Sequence, residues 1–240
     1  RWLMVRKQQK KAEEIATHYG IDIQTLDTAE VKENISFGKL ISSVYKRPMM
    51  IAVFLMVFSQ ICGINAIIYY GPRILEEAGL QLGEALGGQV IIGIVNVLFT
   101  LIAIWKIDQL GRRPLLLFGV IGIIISLTVV GSLFYFEVNN TYVLMIFILT
   151  FIACFAFSYG PVIWVLLSEI YPLRIRGVAM SVATMAVWVG TAFVGQMTPW
   201  FLENLQPHGT FWFFAICTLP AIYIVIKVMP ETKGKSINTF

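Results

Sequence analysis

The sequence predicts an all-α integral membrane protein, and three observations carry that prediction. Six stretches are each apolar for about 20 residues, the length a helix needs to cross bilayer hydrocarbon, and none has a charge in its interior. Hydrophobic residues make up 58% of the 240 residues and charged residues only 13%, where soluble domains run near a quarter charged; the mean hydropathy is +0.77. Basic residues gather on alternate connections, as they do in multi-spanning proteins.

In chain order, residues 1–48 form the only soluble segment. Arg1 to Tyr19 reads as a helix, with Leu3, Ile15 and Tyr19 set among Lys and Glu, and Gly20 stops it. A second short helix is expected from Asp27, with Glu30 as its capping-box partner. A basic helix of this kind suits a membrane surface or neighbouring cytoplasmic loops better than catalysis. The predicted spans are 49–72, 86–105, 114–136, 142–167, 178–200 and 211–229, so the bundle covers 49–229 and residues 230–240 form a tail. Gly160-Pro161 is expected to break the ladder of the fourth span, and Pro220 that of the sixth.

Six spans put both termini on one side. Of the 18 Lys and Arg residues, all but Arg73 fall in residues 1–48, the 106–113 loop, the 174–176 turn or the carboxy-terminal end from Lys227 onward. The opposite loops carry Glu76, Glu77, Glu84, Glu137 and Glu203. Lys and Arg near span ends are retained in the cytoplasm, so both termini are expected there. This asymmetry accounts for the net charge of +4 without nucleic acid, because the basic residues are spread over separate loops.

Cys62, Cys154 and Cys217 lie inside predicted spans, where a thiol behaves as a small apolar group; neither a disulfide framework nor a metal site is implied. His18 and His208 lie outside the predicted spans. Without a nucleophile–base set, metal cluster or phosphate loop, an enzyme is not expected, and no cofactor is called for. The chain opens at Arg1 with no initiator Met and no signal-peptide pattern, which suggests part of a longer protein.

Polar side chains in hydrocarbon need partners and tend to face a bundle interior or a wet cavity. The first span carries Ser59, Gln60, Asn65, Tyr69 and Tyr70. Gln60, Asn65 and Tyr69 are spaced so that a drifting helix face brings them toward one cavity, and amides suit the hydroxyls of an uncharged polyol such as a sugar. Interhelical hydrogen bonding uses the same residue types. Asn96 in the second span has the same two readings. Trp164 and Trp188 lie away from the interfacial belts, where an indole offers an apolar face and one N–H donor, or simply packs in a core. With no Asp, Glu, Lys, Arg or His in the interior of any span, a coupled proton would be carried elsewhere.

Five motifs, in this order and spacing, resemble the sugar porters of the major facilitator superfamily. They are Gln60-Ile-Cys-Gly-Ile-Asn65-Ala-Ile-Ile-Tyr69-Tyr70, Asp108-x-x-Gly111-Arg112-Arg113, Gly160-Pro161-x-x-Trp164-x-x-x-x-Glu169, Arg174-x-Arg176-Gly177 and Pro230-Glu-Thr-Lys-Gly234. The resemblance covers the whole chain but corresponds to helices seven to twelve of a twelve-helix porter. It implies a six-helix half of that fold, preceded by a cytoplasmic helical linker and partnered by an amino-terminal six-helix half. The run Phe155 to Glu169 is most similar to bacterial xylose–proton symporters, which implies a bacterial inner membrane, a monosaccharide substrate and proton symport. A sugar sensor or truncated, non-transporting protein is the alternative.

Carried over residue by residue, the resemblance implies that Gln60, Asn65 and Asn96 hydrogen-bond sugar hydroxyls. Trp164 would line the floor of the site, with Trp188 and Phe155 as aromatic walls. Tyr69, next to Tyr70, would belong to the outer gate. Asp108, Arg112, Arg113, Glu169 and Arg176 would form a cytoplasmic charge network that locks the outward-facing state. Three departures stand out: Ser59 replaces a Gln, Val187 an amide, and Ala156 a Glu typical of animal facilitative members. Each neutral hydrogen bond lost is worth about 0.5–1.5 kcal/mol, enough to change which sugar is preferred.

Overall fold

The computed structural model describes residues 8–18, 46–138, 140–171 and 173–229. The expected helix at Asp27 and the tail 230–240 lie outside the described residues, as does most of the linker. Its described part is helix α1, Gln9–His18.

The bundle is built from α2 (Lys46–Ile61), α3 (Ile64–Glu77), α4 (Leu82–Leu110), α5 (Arg112–Tyr135), α6 (Thr141–Phe157), α7 (Tyr159–Ile170), α8 (Leu173–Asn204) and α9 (Gln206–Tyr223). A π-helical turn, Ile224–Val228, ends it. Taken in collinear pairs where they adjoin, these make six helices long and apolar enough to cross a membrane. The second and fifth are longer than the sequence predicts, because α4 and α8 carry their winding past the apolar stretch into polar residues at both ends.

The first span is two helices, a break the apolar pattern does not reveal. It falls at Cys62-Gly63, where Gly63 takes the left-handed conformation with φ 83°, which a side chain disfavours. A Cβ there would also lie 2.5 Å from the Phe214 ring. The fourth span breaks as well, but at Ser158 rather than at Gly160-Pro161. Those two residues sit in the first turn of α7, where a proline costs no intrahelical bond. Pro220 does not interrupt its helix either. Winding continues through it to Tyr223 and then loosens into the π turn, closed by the Met229 N–H on the Ile224 carbonyl at 2.8 Å.

α5 packs against α6 on one side and α9 on the other. Small residues set these crossings, as expected where backbones must approach closely in a membrane. Gly119 and Gly122 of α5 lie under Ser158 and Cys154, and Gly131 lies under Trp212. α2 and α3 pack on α8. The apolar core contains Leu55, Phe151, Tyr159, Phe211 and Phe214, all fully buried. On α4, by contrast, Val90, Val97, Leu101 and Ile104 form an exposed apolar stripe.

Candidate functional site

Gln60 closes α2 and Asn65 opens α3. On one regular helix, residues five apart point about 140° away from each other. The break at Gly63 folds them together, so that Asn65 Nδ2 donates to Gln60 Oε1 at 2.6 Å. A third residue completes the cluster: Thr191 of α8 donates its hydroxyl to the same Gln60 oxygen at 2.9 Å and accepts from Asn65 Nδ2 at 3.2 Å. Gly190 permits this approach, since a Cβ there would meet the Gln60 side chain at 3.0 Å. Gln60 Nε2 donates to Ser59 Oγ at 3.1 Å, and Ser59 in turn donates to the Met56 carbonyl at 2.6 Å.

This arrangement fixes the polarity that the cluster offers. Asn65 Nδ2 commits both hydrogens, and Gln60 Oε1 accepts twice. Among the described residues, that leaves the Asn65 carbonyl oxygen and one Gln60 N–H for a ligand. A hydroxyl both donates and accepts, and so matches the pair. Gln60 and Thr191 are buried while Asn65 is half-buried.

Sequence reasoning missed Thr191. Thr184 and Thr198 on the same helix donate to carbonyls four residues back, the default for a helical threonine. Nothing local distinguishes Thr191 from them; its partner is 131 positions away.

The expected aromatic residues are placed in different surroundings. Trp188, one turn before Thr191 on α8, is 65% exposed, and Trp164 of α7 is 37% exposed. Phe155 lies against Tyr159 at the α6–α7 break, with ring centroids 6.0 Å apart. Asn96 is not drawn into the amide cluster; its side-chain oxygen and its carbonyl accept from Thr100 within α4. Tyr69 and Tyr70 both meet α8 at Gly195. The Tyr69 ring packs there, half exposed, and the Tyr70 hydroxyl donates to the Gly195 carbonyl at 3.0 Å. At that end Arg73 pairs with Glu77 at 3.3 Å and Glu203 at 3.7 Å.

At the opposite end, Arg112 is the hub of an ion network. Its guanidinium holds Glu169 with two bonds, Nε to Oε2 at 3.1 Å and Nη2 to Oε1 at 2.6 Å. It also reaches Asp108 at 2.8 Å and the Ile107 carbonyl at 3.3 Å. The network thus ties α4, α5 and α7 together. Five side chains were expected in it, and these bonds join three. Arg113 donates instead to the Val225 and Ile226 carbonyls, where the π turn leaves acceptors at the end of a helix. Arg176 donates to the Tyr171 carbonyl at 3.3 Å. Burial pushes the Tyr171 phenol up to about 12, so it stays neutral beside these charges.

Comparison with known proteins adds four findings. A family model described as "Sugar (and other) transporter" matches residues 1–240. The arabinose-proton symporter of Bacillus subtilis is 33% identical over 99% of this chain and 53% of its own length. The D-xylose-proton symporter of Escherichia coli is 34% identical over 99% of this chain and 50% of its own. A solved structure of a major facilitator superfamily proton:xylose symporter, bound to 6-bromo-6-deoxy-D-glucose, superposes with a TM-score of 0.79 at 32% identity. It does so over 98% of this chain and 52% of that one. The chain therefore spans about half the length of the curated relatives it matches.

Proposed function

This chain belongs to the sugar transporter family, by a match over all of residues 1–240, and from that membership we propose that it forms one half of a monosaccharide transporter working by alternating access. Such transporters bind at the interface of two repeats, near the middle of the bilayer. In this reading residues 49–229 are the carboxy-terminal bundle, 1–48 the linker and 230–240 the tail. Both termini face the cytoplasm, the membrane is a bacterial plasma membrane, and the partner is an amino-terminal six-helix half. The protein moves its substrate unchanged and is not an enzyme.

The observation that carries the reading is the Gln60–Asn65–Thr191 cluster, which presents one acceptor and one donor on a face with Trp188 one turn away. Trp164, Trp188 and Phe155 supply apolar surface for the C–H face of the sugar, and Asn96 a further polar contact. Tyr69 and Tyr70 close the site against α8 on the side of Arg73, while Arg112 with Asp108 and Glu169, flanked by Arg113 and Arg176, hold the other side closed. Proton symport follows the names of the two relatives, which are symporters for arabinose and xylose. The described spans have no Asp, Glu, Lys, Arg or His at mid-membrane, so the coupled proton is assigned to the other half.

The test is a tryptophan-fluorescence titration of the purified chain in detergent with D-xylose, L-arabinose, D-glucose and a non-sugar control. A saturable, sugar-specific change is expected, lost in Trp164→Ala and only weakened in Trp188→Ala. The more enclosed indole loses more contact with a bound ring. A signal unaffected by either substitution, or equal for the control, overturns the assignment of the aromatic walls.

A further inference from the structure

At the basic end of the bundle a cleft of about 400 Å³ opens between α2 and the last helix. Its walls include Met50, Phe54 and Phe58 on α2, and Pro220, Tyr223 and Ile224 on α9 and the π turn. Pro220 and the π turn that follows it form one wall of the cleft, and α2 forms the other. Phe54 and Tyr223 are 51% and 66% exposed there. From Met50 to Phe58 the cleft runs about 12 Å, inside the ~15 Å of one leaflet of hydrocarbon. That length suits one acyl chain entering from the near surface.

Charge at the mouth favours one kind of lipid. Lys46 lies one turn before Met50, and Lys227 one turn beyond Tyr223, on the same helix faces as those walls. Both lysines are exposed, and long basic side chains at this depth carry their ammonium to the membrane surface. Arg113 adds a third positive charge at the same helix end, on the Val225 and Ile226 carbonyls. Competing carboxylates are missing from both walls: the sequence has no Asp or Glu in 46–61 or 206–229. At this end Asp108 and Glu169 are engaged by Arg112.

We propose that this cleft is a binding site for an anionic phospholipid. One acyl chain fills the apolar groove, and the phosphate sits between the Lys46 and Lys227 ammoniums.

The experiment reconstitutes the full chain in vesicles and compares phosphatidylglycerol with phosphatidylcholine, each carrying a photoreactive diazirine at mid-chain. Cross-linked peptides are then mapped. Phosphatidylglycerol is expected to label 50–58 and 220–224 in preference to phosphatidylcholine, by about fivefold for each lysine engaged and roughly 25-fold for both. The double substitution Lys46→Gln with Lys227→Gln removes that preference, whereas Lys46→Arg with Lys227→Arg keeps it. Met50→Trp, which fills the mouth and leaves both charges, lowers labelling by phosphatidylglycerol. Equal labelling by the two lipids, insensitive to the lysines, means bulk solvation of an apolar face and overturns the proposal. Labelling elsewhere on the chain but not in the cleft means that protein covers the groove, and overturns it equally.

Discussion

The amide cluster and the ion network sit at different depths of the same bundle and solve opposite problems. Gln60, Asn65 and Thr191 are neutral, meet across a helix break and leave hydrogen-bonding capacity unspent. Arg112, Asp108 and Glu169 are charged, lie at helix ends and spend theirs on each other. A ligand site must keep something to offer, and amides that are half-committed do so without the desolvation cost of a charge in hydrocarbon. A clasp that opens and closes gains from strength instead. Charge-assisted, two-pronged Arg–carboxylate bonds provide it, and near the membrane surface the separated partners can return to water.

The comparison predicts unequal sensitivities. The largest effect is expected from Gly63→Ala, because the cluster exists only through that break. The new Cβ would be forced into φ 83° and to 2.5 Å from the Phe214 ring. Left-handed strain and overpacking together cost about 2–4 kcal/mol. Thermal unfolding in detergent should register this, and sugar-dependent fluorescence should vanish with it. A stable variant that still responds to sugar would show that the break is not what assembles the site.

The ion network is next. Arg112→Ala leaves Glu169 half-buried without its two-pronged partner, a loss of about 1.5–3 kcal/mol for the pair once the freed carboxylate reaches water near the membrane surface. Asp108, mostly exposed, adds little to that sum. Arg112→Lys keeps the charge but not the planar fork, so the expected loss is roughly half. The readout that separates a clasp from a mere strut is the reactivity of a cysteine placed at the Arg112 end of the bundle when the chain is assembled with its proposed amino-terminal half. It should rise in both variants, more in Ala than in Lys. Unchanged reactivity alongside lost stability would leave only the strut.

How much of this was legible beforehand differs between the two regions for a physical reason. Apolar length gave the six spans, whereas the ion network was expected only because Asp108, Arg112 and Glu169 fall in motifs that resemble those of sugar porters. The resemblance also placed Arg113 and Arg176 in that network, and among the described bonds both reach backbone carbonyls. Which acceptor a guanidinium takes depends on helix ends whose positions are tertiary facts. The break at Gly63 was hidden because a glycine among apolar residues has the same composition whether its φ is negative or positive. Ser158 broke the fourth span ahead of the expected Gly160-Pro161, since a proline in the first turn of a new helix is tolerated where one in mid-helix is not.

Thr191 was the residue no pattern could find, and it sharpens the comparison most finely. Thr191→Val conserves volume and branching, removing one hydroxyl from the Gln60 oxygen and one acceptor from Asn65. The backbone is untouched, so the fold should lose only about 1 kcal/mol. The consequence for the ligand is more specific. Asn65 Nδ2 regains a free hydrogen, and the amide can rotate, so the cluster no longer presents a fixed acceptor. Sugar affinity is expected to fall about fivefold, the equivalent of roughly 1 kcal/mol, with Thr191→Ser restoring it. If Thr191→Val binds as tightly as the unmodified chain, the hydroxyl is incidental to the orientation of the amides. If Val and Ser both lose binding, the hydroxyl needs the methyl group to hold it in place, and orientation and packing at α8 act together.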